Sequence, residues 1–301
     1  MSTAVPGQAL YQWRQWAIQL AKKSNIDLGE VDWFLQGLSQ LTGLSLQLGD
    51  YQNQPGVLLS VPLRELTERW QRRIDQNVPV QYLVGETPWR NFLLTVTPDV
   101  LIPRPETELM IDIAAELVAN RPNAKQEHVG NWADLGTGSG AIALGLAYTL
   151  PNARVHAVDI SDAAVKIARL NAEKHSLAHR ITFFQGSWLS PLGHLQGQLT
   201  GIVSNPPYIP SQLVLTLQPE VANHEPHLAL DGGLDGLSCI RHLISEGATY
   251  LQPGGLWLTE LMMGQATTVA DLLSQQGAYT DVTIHQDLSG IDRFVSARKA
   301  L

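Results

Sequence analysis

The chain has 301 residues, of which 44% are hydrophobic and 16% are charged, so it can bury a sizeable core and is long enough for two domains. The formal net charge of −8 disfavours direct binding to nucleic acid, which depends on clustered basic residues. The single cysteine, Cys239, excludes an internal disulfide and favours a reducing, cytoplasmic setting. No apolar run approaches the roughly 20 residues of a membrane-spanning helix, so we expect no membrane association.

The first quarter of the chain has the periodicity of helices. Apolar residues recur there at intervals of three and four. They are Leu10, Trp13 and Ala17, then Val31, Phe34, Leu35 and Leu38, then Leu63, Leu66, Trp70 and Ile74. The pattern predicts a small helical domain over residues 1–83. Arg72 and Arg73, on the third helix, are interpreted as part of a solvated face rather than as an RNA contact.

Residues 84–102 have the character of strands and turns. Gly85, Pro88 and Pro98 surround the alternating segment Phe92–Val96. This arrangement is typical of strands or a hairpin. We therefore expect a β-hairpin linker between two domains.

From residue 103 to residue 301, short β-branched runs alternate with helical stretches. The runs are Trp132–Leu135, Val155–Val158, Ile181–Phe184, Ile202–Ser204, Leu256–Glu260, Val282–His285 and Phe294–Ala297. Such alternation is typical of a mainly parallel sheet with helices on both faces. The sequence therefore predicts an α/β, Rossmann-like domain with a seven-stranded sheet.

A glycine-rich loop follows the first of these strands and opens an apolar helix. Glycines remove side chains from a tight turn, so a ligand can lie against backbone N–H groups at the helix N-terminus. The loop residues expected at this ligand are Gly136, Thr137, Gly138, Ser139 and Gly140. Asp159 ends the next strand, where a carboxylate can accept both ribose hydroxyls of an adenosine. Together these features indicate an adenosine-containing cofactor.

Two cofactors fit the loop. The spacing Gly136-x-Gly138-x-x-Ala141 also satisfies the dinucleotide fingerprint. Asp134 precedes the first glycine by two residues, where its carboxylate would oppose a pyrophosphate but favour the positive sulfonium of S-adenosylmethionine. This charge favours S-adenosylmethionine, with S-adenosylhomocysteine as the product. A glycine-rich turn without a ligand is the remaining alternative, which Asp159 disfavours.

The segment Asn205-Pro206-Pro207-Tyr208 follows the strand run that ends at Ser204. Open α/β sheets bind ligands at this end of their strands. The two prolines stiffen the loop and remove backbone donors, so the Asn205 side-chain oxygen and the Pro206 carbonyl can accept the hydrogens of a substrate –NH₂. Tyr208 would stack on a flat substrate group. A proline-stiffened turn capped by asparagine is the alternative.

These residues predict methyl transfer to a planar amide or amine nitrogen. Asn205, Pro206 and Tyr208 are the expected catalytic residues, and Pro207 joins them in holding the substrate. Because asparagine is not a strong base, catalysis would depend on alignment and on stabilising positive charge as it develops on nitrogen.

The whole chain resembles the HemK/PrmC family, the glutamine methyltransferases of peptide chain release factors. The matching segments are Pro79–Gly85, Leu101–Glu108, Asp134–Ala141, Asn205–Tyr208, Glu225–Pro226, Asp231–Leu237, Pro253–Gly255 and Asp287–Phe294. Asn-Pro-Pro-Tyr alone is shared with adenine and guanine methyltransferases, whereas Ile-Pro-Arg-Pro-Glu-Thr-Glu and Asp-Gly-Gly-x-Asp-Gly-Leu are far more selective.

The resemblance implies the substrate and further site residues. The methyl acceptor would be N5 of the glutamine in the Gly-Gly-Gln motif of release factors, and the N-terminal helical domain would help to recognise that protein. The cofactor site would also include Asn205 and, beside the adenine, Trp188. This chain has Ser187 where family members often have an acidic residue. Arg104 would order the edge of the site or lie in a solvated turn.

Three other functions are open at this point. A methyltransferase acting on an exocyclic amine of a base in RNA or DNA would use the same Asn205–Tyr208 chemistry. A nicotinamide-dependent enzyme would leave that segment without a role, and a non-catalytic module would have no need of it. His224 and His227 flank Pro226, which interrupts helical spacing, so no metal site is predicted.

Overall fold

The computed structural model describes residues 3–119 and 130–301, which form two compact units. The first unit comprises Met1–Glu86 together with the insert Pro219–His224, and the second comprises Thr87–Gln218 and Glu225–Leu301. No helix within the described ranges is long and apolar enough to cross a membrane.

The first unit is mainly helical. Its elements are β1 (Thr3–Val5), α1 (Gly7–Lys23), α2 (Gly29–Leu38), α3 (Gly43–Leu48), β2 (Val57–Leu59), α4 (Leu63–Gln76), α5 (Val80–Val84) and the short helix Pro219–His224. The expected apolar sets lie on α1, α2 and α4, and Trp13, Phe34 and Trp70 bring these helices together. The antiparallel pair β1–β2 was not expected, because strands of three residues carry no periodic signal.

The interpretation of Arg73 as a solvated residue is wrong. Arg73 is only 5% exposed, and its guanidinium donates to both carboxylate oxygens of Glu30, at 2.6 and 3.0 Å. Its Nη1 also lies 3.0 Å from Oε1 of Glu220, on the short helix Pro219–His224. A buried guanidinium needs such partners. Arg73 therefore holds this helix within the first unit.

The second unit is built on a seven-stranded sheet, which confirms the predicted α/β class. A hairpin of β3 (Glu86–Trp89) and β4 (Phe92–Thr95) precedes it. The sheet strands are β5 (Asn131–Leu135), β6 (Arg154–Asp159), β7 (Ile181–Gln185), β8 (Leu199–Ser204), β9 (Leu251–Glu260), β10 (Tyr279–Gln286) and β11 (Asp292–Lys299). Their spatial order is β10-β11-β9-β8-β5-β6-β7, and β11 runs antiparallel to both of its neighbours. The strands from β9 to β7 are mutually parallel.

Helices cover both faces of this sheet. They are α6 (Leu109–Ala119), α7 (Ala141–Thr149), α8 (Asp162–Lys174), α9 (Ser238–Tyr250) and α10 (Ala266–Gln276). Consecutive residues of β5 point to opposite faces, so Trp132 belongs to the apolar cluster with α6 and α7, whereas Ala133 belongs to the cluster with α9 and α10. Both faces of the central strand are buried, as is usual for parallel sheets.

The parallel strands place their carboxyl ends at one edge of the sheet. The segments that follow β5, β6, β8 and β9 therefore begin close together. Side chains tie these ends to each other: the Ser204 hydroxyl donates to the Leu135 carbonyl at 2.6 Å, and the Thr259 hydroxyl donates to the Ser204 carbonyl at 3.1 Å. The edge is thus a fixed platform for the loops.

Replacement of Gly201 by alanine tests the packing of the central strands. A Cβ at Gly201 would lie 2.3 Å from Cζ3 of Trp132, so the G201A variant should lose about 1–3 kcal/mol of unfolding free energy. The matched control is G193A, since a Cβ at Gly193 meets nothing within 4 Å. Urea denaturation of both variants measures the difference, and equal stability would show that the strands can shift to accept the methyl group.

Candidate active site

A cleft at the carboxyl edge of the sheet brings together six of the predicted site residues. It contains about 950 Å³ of empty space, a figure that includes its open mouth. The six predicted residues in its lining are Gly136, Gly138, Asp159, Trp188, Asn205 and Pro207. Residues from four separate loops therefore face one space.

The glycine loop contributes backbone surface to the cleft rather than free donors. The N–H groups of Gly136 and Thr137 both donate to the Val158 carbonyl, at 2.9 and 3.0 Å, and that of Gly140 donates to the Thr137 carbonyl. A ligand that lies against the loop therefore does not find these N–H groups free, because the loop uses them to close its own turn. A pyrophosphate would lack these donors, which argues against a dinucleotide.

Thr137 and Ser139 belong to the glycine loop, and both are buried. The Thr137 hydroxyl donates to Asp134 at 2.6 Å, and the Ser139 carbonyl accepts a hydrogen bond from Asn171 at 2.9 Å. The described residues that line the cleft do not include Thr137, Ser139 or Gly140. Their contribution to the loop is to fix its shape.

Asp134 lies under the loop and is fully buried. Its Oδ2 accepts hydrogen bonds from the Thr137 hydroxyl and from the Ala143 N–H at 2.9 Å. Burial raises the pKa of Asp134 to about 7, while these two hydrogen bonds oppose the rise. The carboxylate therefore joins the strand end to the first turn of α7 and does not itself line the cleft.

Asp159 presents a carboxylate to the cleft at the end of β6. Its Oδ2 accepts the Gly138 N–H and its Oδ1 accepts the Ser161 N–H, each at 2.9 Å. Burial raises the pKa of Asp159, and the backbone hydrogen bonds lower it. Two fixed donors hold the carboxylate in one orientation, and each oxygen keeps capacity to accept a further bond from a ligand.

Trp188 forms part of the wall opposite the glycine loop. A Cβ built on Gly136 would lie 3.6 Å from Cζ3 of the indole, which is van der Waals contact, so the loop and the ring approach each other closely. Trp188 has a positive φ of 48°, an unusual conformation for a bulky residue. Ser187, beside it, is exposed and also lines the cleft.

The charge of the cleft is negative. Its lining carries the carboxylates of Asp99, Asp159 and Asp231, and no lysine or arginine is among the described residues that line it. Carboxylates attract a cationic ligand and repel phosphates. The sequence predicts that Asp134 attracts the cationic cofactor. In the structure this role falls to Asp99, Asp159 and Asp231, because Asp134 does not line the cleft.

The Asn205–Tyr208 corner follows β8 and packs directly on the segment that begins at Asp231. The Ile209 N–H donates to the Leu230 carbonyl, and the Gly232 N–H donates back to the Ile209 carbonyl at 2.8 Å. A Cβ on Gly232 would lie 2.8 Å from the Pro207 carbonyl oxygen, so only glycine permits this approach. The motif Asp-Gly-Gly thus supports the corner from behind.

Tyr208 points into the protein rather than along the cleft wall. Its hydroxyl donates to Oε1 of Glu260 at 3.1 Å, and its ring packs against the apolar cluster of α9 and α10. Burial, and then the neighbouring Glu260 charge, raise the pKa of Tyr208, so the hydroxyl stays protonated. Stacking of Tyr208 on the substrate stays a prediction.

Two further charged residues at this edge each have a buried partner. The sequence left the place of Arg104 open and gave no role to Glu260. Arg104 donates to Glu225 at 2.8 Å, and the Glu225 side chain is 1% exposed. Arg104 is therefore not in a solvated turn. Glu260, at the end of β9, accepts the Thr107 hydroxyl at 2.6 Å. A carboxylate at the carboxyl end of a parallel strand was the available signal for Glu260.

Within the described residues, no group of His, Cys, Asp and Glu has the geometry to hold a metal ion. His224 Nε2 instead lies 2.7 Å from the Gln76 carbonyl oxygen, in the first unit.

Comparison with known proteins gives close relatives. The model of the methyltransferase small domain matches residues 107–235. A release factor glutamine methyltransferase of Synechocystis is 52% identical over 98% of this chain and 97% of its own length. One of Thermosynechococcus vestitus is 48% identical over 97% of this chain and 99% of its own. The solved catalytic domain of hMettl16, bound to a MAT2A 3′UTR hairpin, has a TM-score of 0.56 at 16% identity, covering 94% and 91% of the two chains, and so shares the fold.

The raised pKa of Asp134 predicts a loss of stability with rising pH. Between the ordinary value of 3.8 and about 7 the native state keeps a proton that the unfolded chain has lost, so the free energy of unfolding falls as pH rises through this window. From about pH 5 to about pH 8 the loss amounts to about 2–3 kcal/mol. Urea denaturation at both pH values measures it. Asp134→Asn should lack this part of the pH dependence, and an unchanged dependence in that variant would contradict the assignment.

Proposed function

Because the chain belongs to the release factor glutamine methyltransferase family, we propose that it methylates N5 of the Gly-Gly-Gln glutamine of peptide chain release factors, with S-adenosylmethionine as donor. The supporting observation is that Asn205 lines the same carboxylate-rich cleft as the glycine loop. An acceptor for a flat –NH₂ and a site for a cationic cofactor are thereby neighbours. Release factors act in translation, so we place this activity in the cytoplasm.

The residues of the cleft fit S-adenosylmethionine. Asp159 would hold the ribose hydroxyls, Trp188 would contact the adenine, and Gly136 with Gly138 would let the ligand approach the backbone. These four residues all line the cleft, which has room for a small molecule. The carboxylates of Asp99 and Asp231 add negative charge, which suits a cation and not a pyrophosphate. When bound, the cofactor supplies an electrophilic methyl carbon on a positively charged sulfur.

Asn205 and Pro206 would hold the amide nitrogen that attacks this carbon. A carboxamide nitrogen is a poor nucleophile because its lone pair is delocalised into the carbonyl. Two acceptor oxygens, the Asn205 side-chain oxygen and the Pro206 carbonyl, would each take one hydrogen of the –NH₂ and fix its plane. They would also stabilise the positive charge that develops on nitrogen, and the proton would leave to water.

Pro207 and the N-terminal residues would recognise the protein substrate. Pro207 lies in the cleft lining, where it would contact the glutamine side chain. We assign residues 103–301 to catalysis, residues 84–102 to a linker, and residues 1–83 to recognition of the release factor. The helical first unit has its own apolar core, as a separate recognition module requires.

Labelled S-adenosylmethionine tests the choice of acceptor. We expect label to enter a purified release factor and to be absent when the glutamine of its Gly-Gly-Gln motif is replaced. Total RNA and DNA, offered separately, should stay unlabelled, since the acidic cleft opposes phosphates. Label in RNA or DNA instead of the release factor would establish the alternative, methylation of an exocyclic amine on a base.

Replacement of Asn205 separates catalysis from cofactor binding. Asn205→Ala removes a substrate acceptor, so we expect kcat to fall by roughly 10²-fold or more. Affinity for S-adenosylhomocysteine, measured by calorimetry, should change by no more than about threefold. Asn152→Ala, at an exposed position, is the matched control and should behave as the unaltered protein. Near-normal turnover by Asn205→Ala would remove the proposed role.

A further inference from the structure

Two hydrogen bonds in series link Asn205 to a buried carboxylate, and a third joins that carboxylate to Tyr208. The Asn205 Nδ2 donates to the Thr107 Oγ1 at 3.3 Å, and the Thr107 hydroxyl donates to Oε2 of Glu260 at 2.6 Å. The second carboxylate oxygen, Oε1, accepts the Tyr208 hydroxyl at 3.1 Å. Thr107 lies between Pro105 and α6, 98 residues before Asn205, so this connection is made only by the fold.

The burial of these groups leaves them few other partners. Thr107 is 4% exposed and Glu260 is 1% exposed. Donors at its oxygens stabilise a buried carboxylate, and here Thr107 and Tyr208 supply one for each oxygen. Burial raises the pKa of Glu260, whereas the bonds from Thr107 and Tyr208 and the charge of Arg293 lower it.

The direction of each hydrogen bond follows from the chemistry of the groups. Thr107 directs its single hydroxyl hydrogen to Oε2 of Glu260, which accepts it. The Thr107 oxygen then has only lone pairs left for Asn205, and these can bind only the amide –NH₂. The arrangement thus selects one of the two flipped orientations of the Asn205 amide.

We propose that Glu260 and Thr107 are positioning residues, which hold the Asn205 –NH₂ inward so that its carbonyl oxygen is available to the methyl acceptor. This inference rests on the proposed function, in which the acceptor nitrogen carries two hydrogens. In the flipped orientation the Asn205 –NH₂ would face the –NH₂ of the methyl acceptor. Two donors cannot form a hydrogen bond, so the acceptor nitrogen would lose its alignment. Glu260 therefore affects the methyl acceptor indirectly, because it fixes the direction in which the Thr107 hydroxyl donates.

Substitution of Glu260 by glutamine should reverse this polarity. The glutamine oxygen keeps the hydrogen bond from the Tyr208 hydroxyl, because a phenol is a stronger donor than an aliphatic hydroxyl. The glutamine –NH₂ then faces the Thr107 oxygen and donates to it, so the Thr107 hydroxyl hydrogen is free to donate to the Asn205 carbonyl. The shape of the site is kept while the preferred flip of Asn205 changes. Thr107→Val breaks the same connection by removing the hydroxyl, whereas Thr107→Ser keeps it.

Kinetics with a release factor and calorimetry with S-adenosylhomocysteine test the proposal. We expect Glu260→Gln and Thr107→Val to lower kcat by roughly tenfold or more, while cofactor affinity stays within about threefold. Thr107→Ser should recover kcat to within about threefold of the unaltered protein. Circular dichroism and urea denaturation establish that each variant is folded, and Glu260→Gln provides the test if Thr107→Val does not fold.

Two results would overturn the proposal. One is unchanged kcat in Glu260→Gln, and the other is equal loss in Thr107→Ser and Thr107→Val, since only the hydroxyl should matter.

A second measurement is independent of any acceptor. The side-chain amide resonances of Asn205, assigned by their loss in Asn205→Ala, should shift in Thr107→Val and not in Thr107→Ser. If the unaltered protein failed to methylate release factors but showed this pattern, the proposed function would fail and the positioning role would stand. Equal shifts in both variants would remove the positioning role whatever the acceptor is.

Discussion

Burial of a carboxylate away from water requires compensating donors, and Glu260 has one on each of its oxygens at the carboxyl edge of the sheet. Its two partners, Thr107 and Tyr208, come from segments far apart in the chain, so the requirement draws three loops to one point. Asn205 joins them through Thr107. The stiffness of the corner after β8 therefore comes from two sources: its prolines and the carboxylate behind it.

The same edge carries a second electrostatic feature, which points outward. Asp99, Asp159 and Asp231 face the cleft, whereas Asp134 is withdrawn beneath the glycine loop and holds its turn. The separation gives the carboxylates different tasks. Those at the surface of the cleft favour a cationic ligand, and the buried one fixes the loop on which that ligand would lie.

Local patterns were sufficient to predict the fold and the main loops. All seven strand runs, the apolar stripes of α1, α2 and α4, and the position of the Asn205–Tyr208 corner follow from residues that are neighbours in sequence. The partners of Arg73 and Glu260 could not be predicted in this way, because each is joined to residues on other elements. Neither could the closing of the glycine loop on Val158, since that depends on how β5 and β6 align.

The role of Asn205 in holding the acceptor nitrogen is tested most directly by a crystal structure with S-adenosylhomocysteine and a release-factor peptide containing Gly-Gly-Gln. The glutamine –NH₂ should lie within hydrogen-bonding distance, about 2.7–3.2 Å, of the Asn205 side-chain oxygen and the Pro206 carbonyl. The Asn205 –NH₂ should remain on Thr107. A glutamine bound away from this corner, or met by the amide nitrogen of Asn205, would contradict the claim.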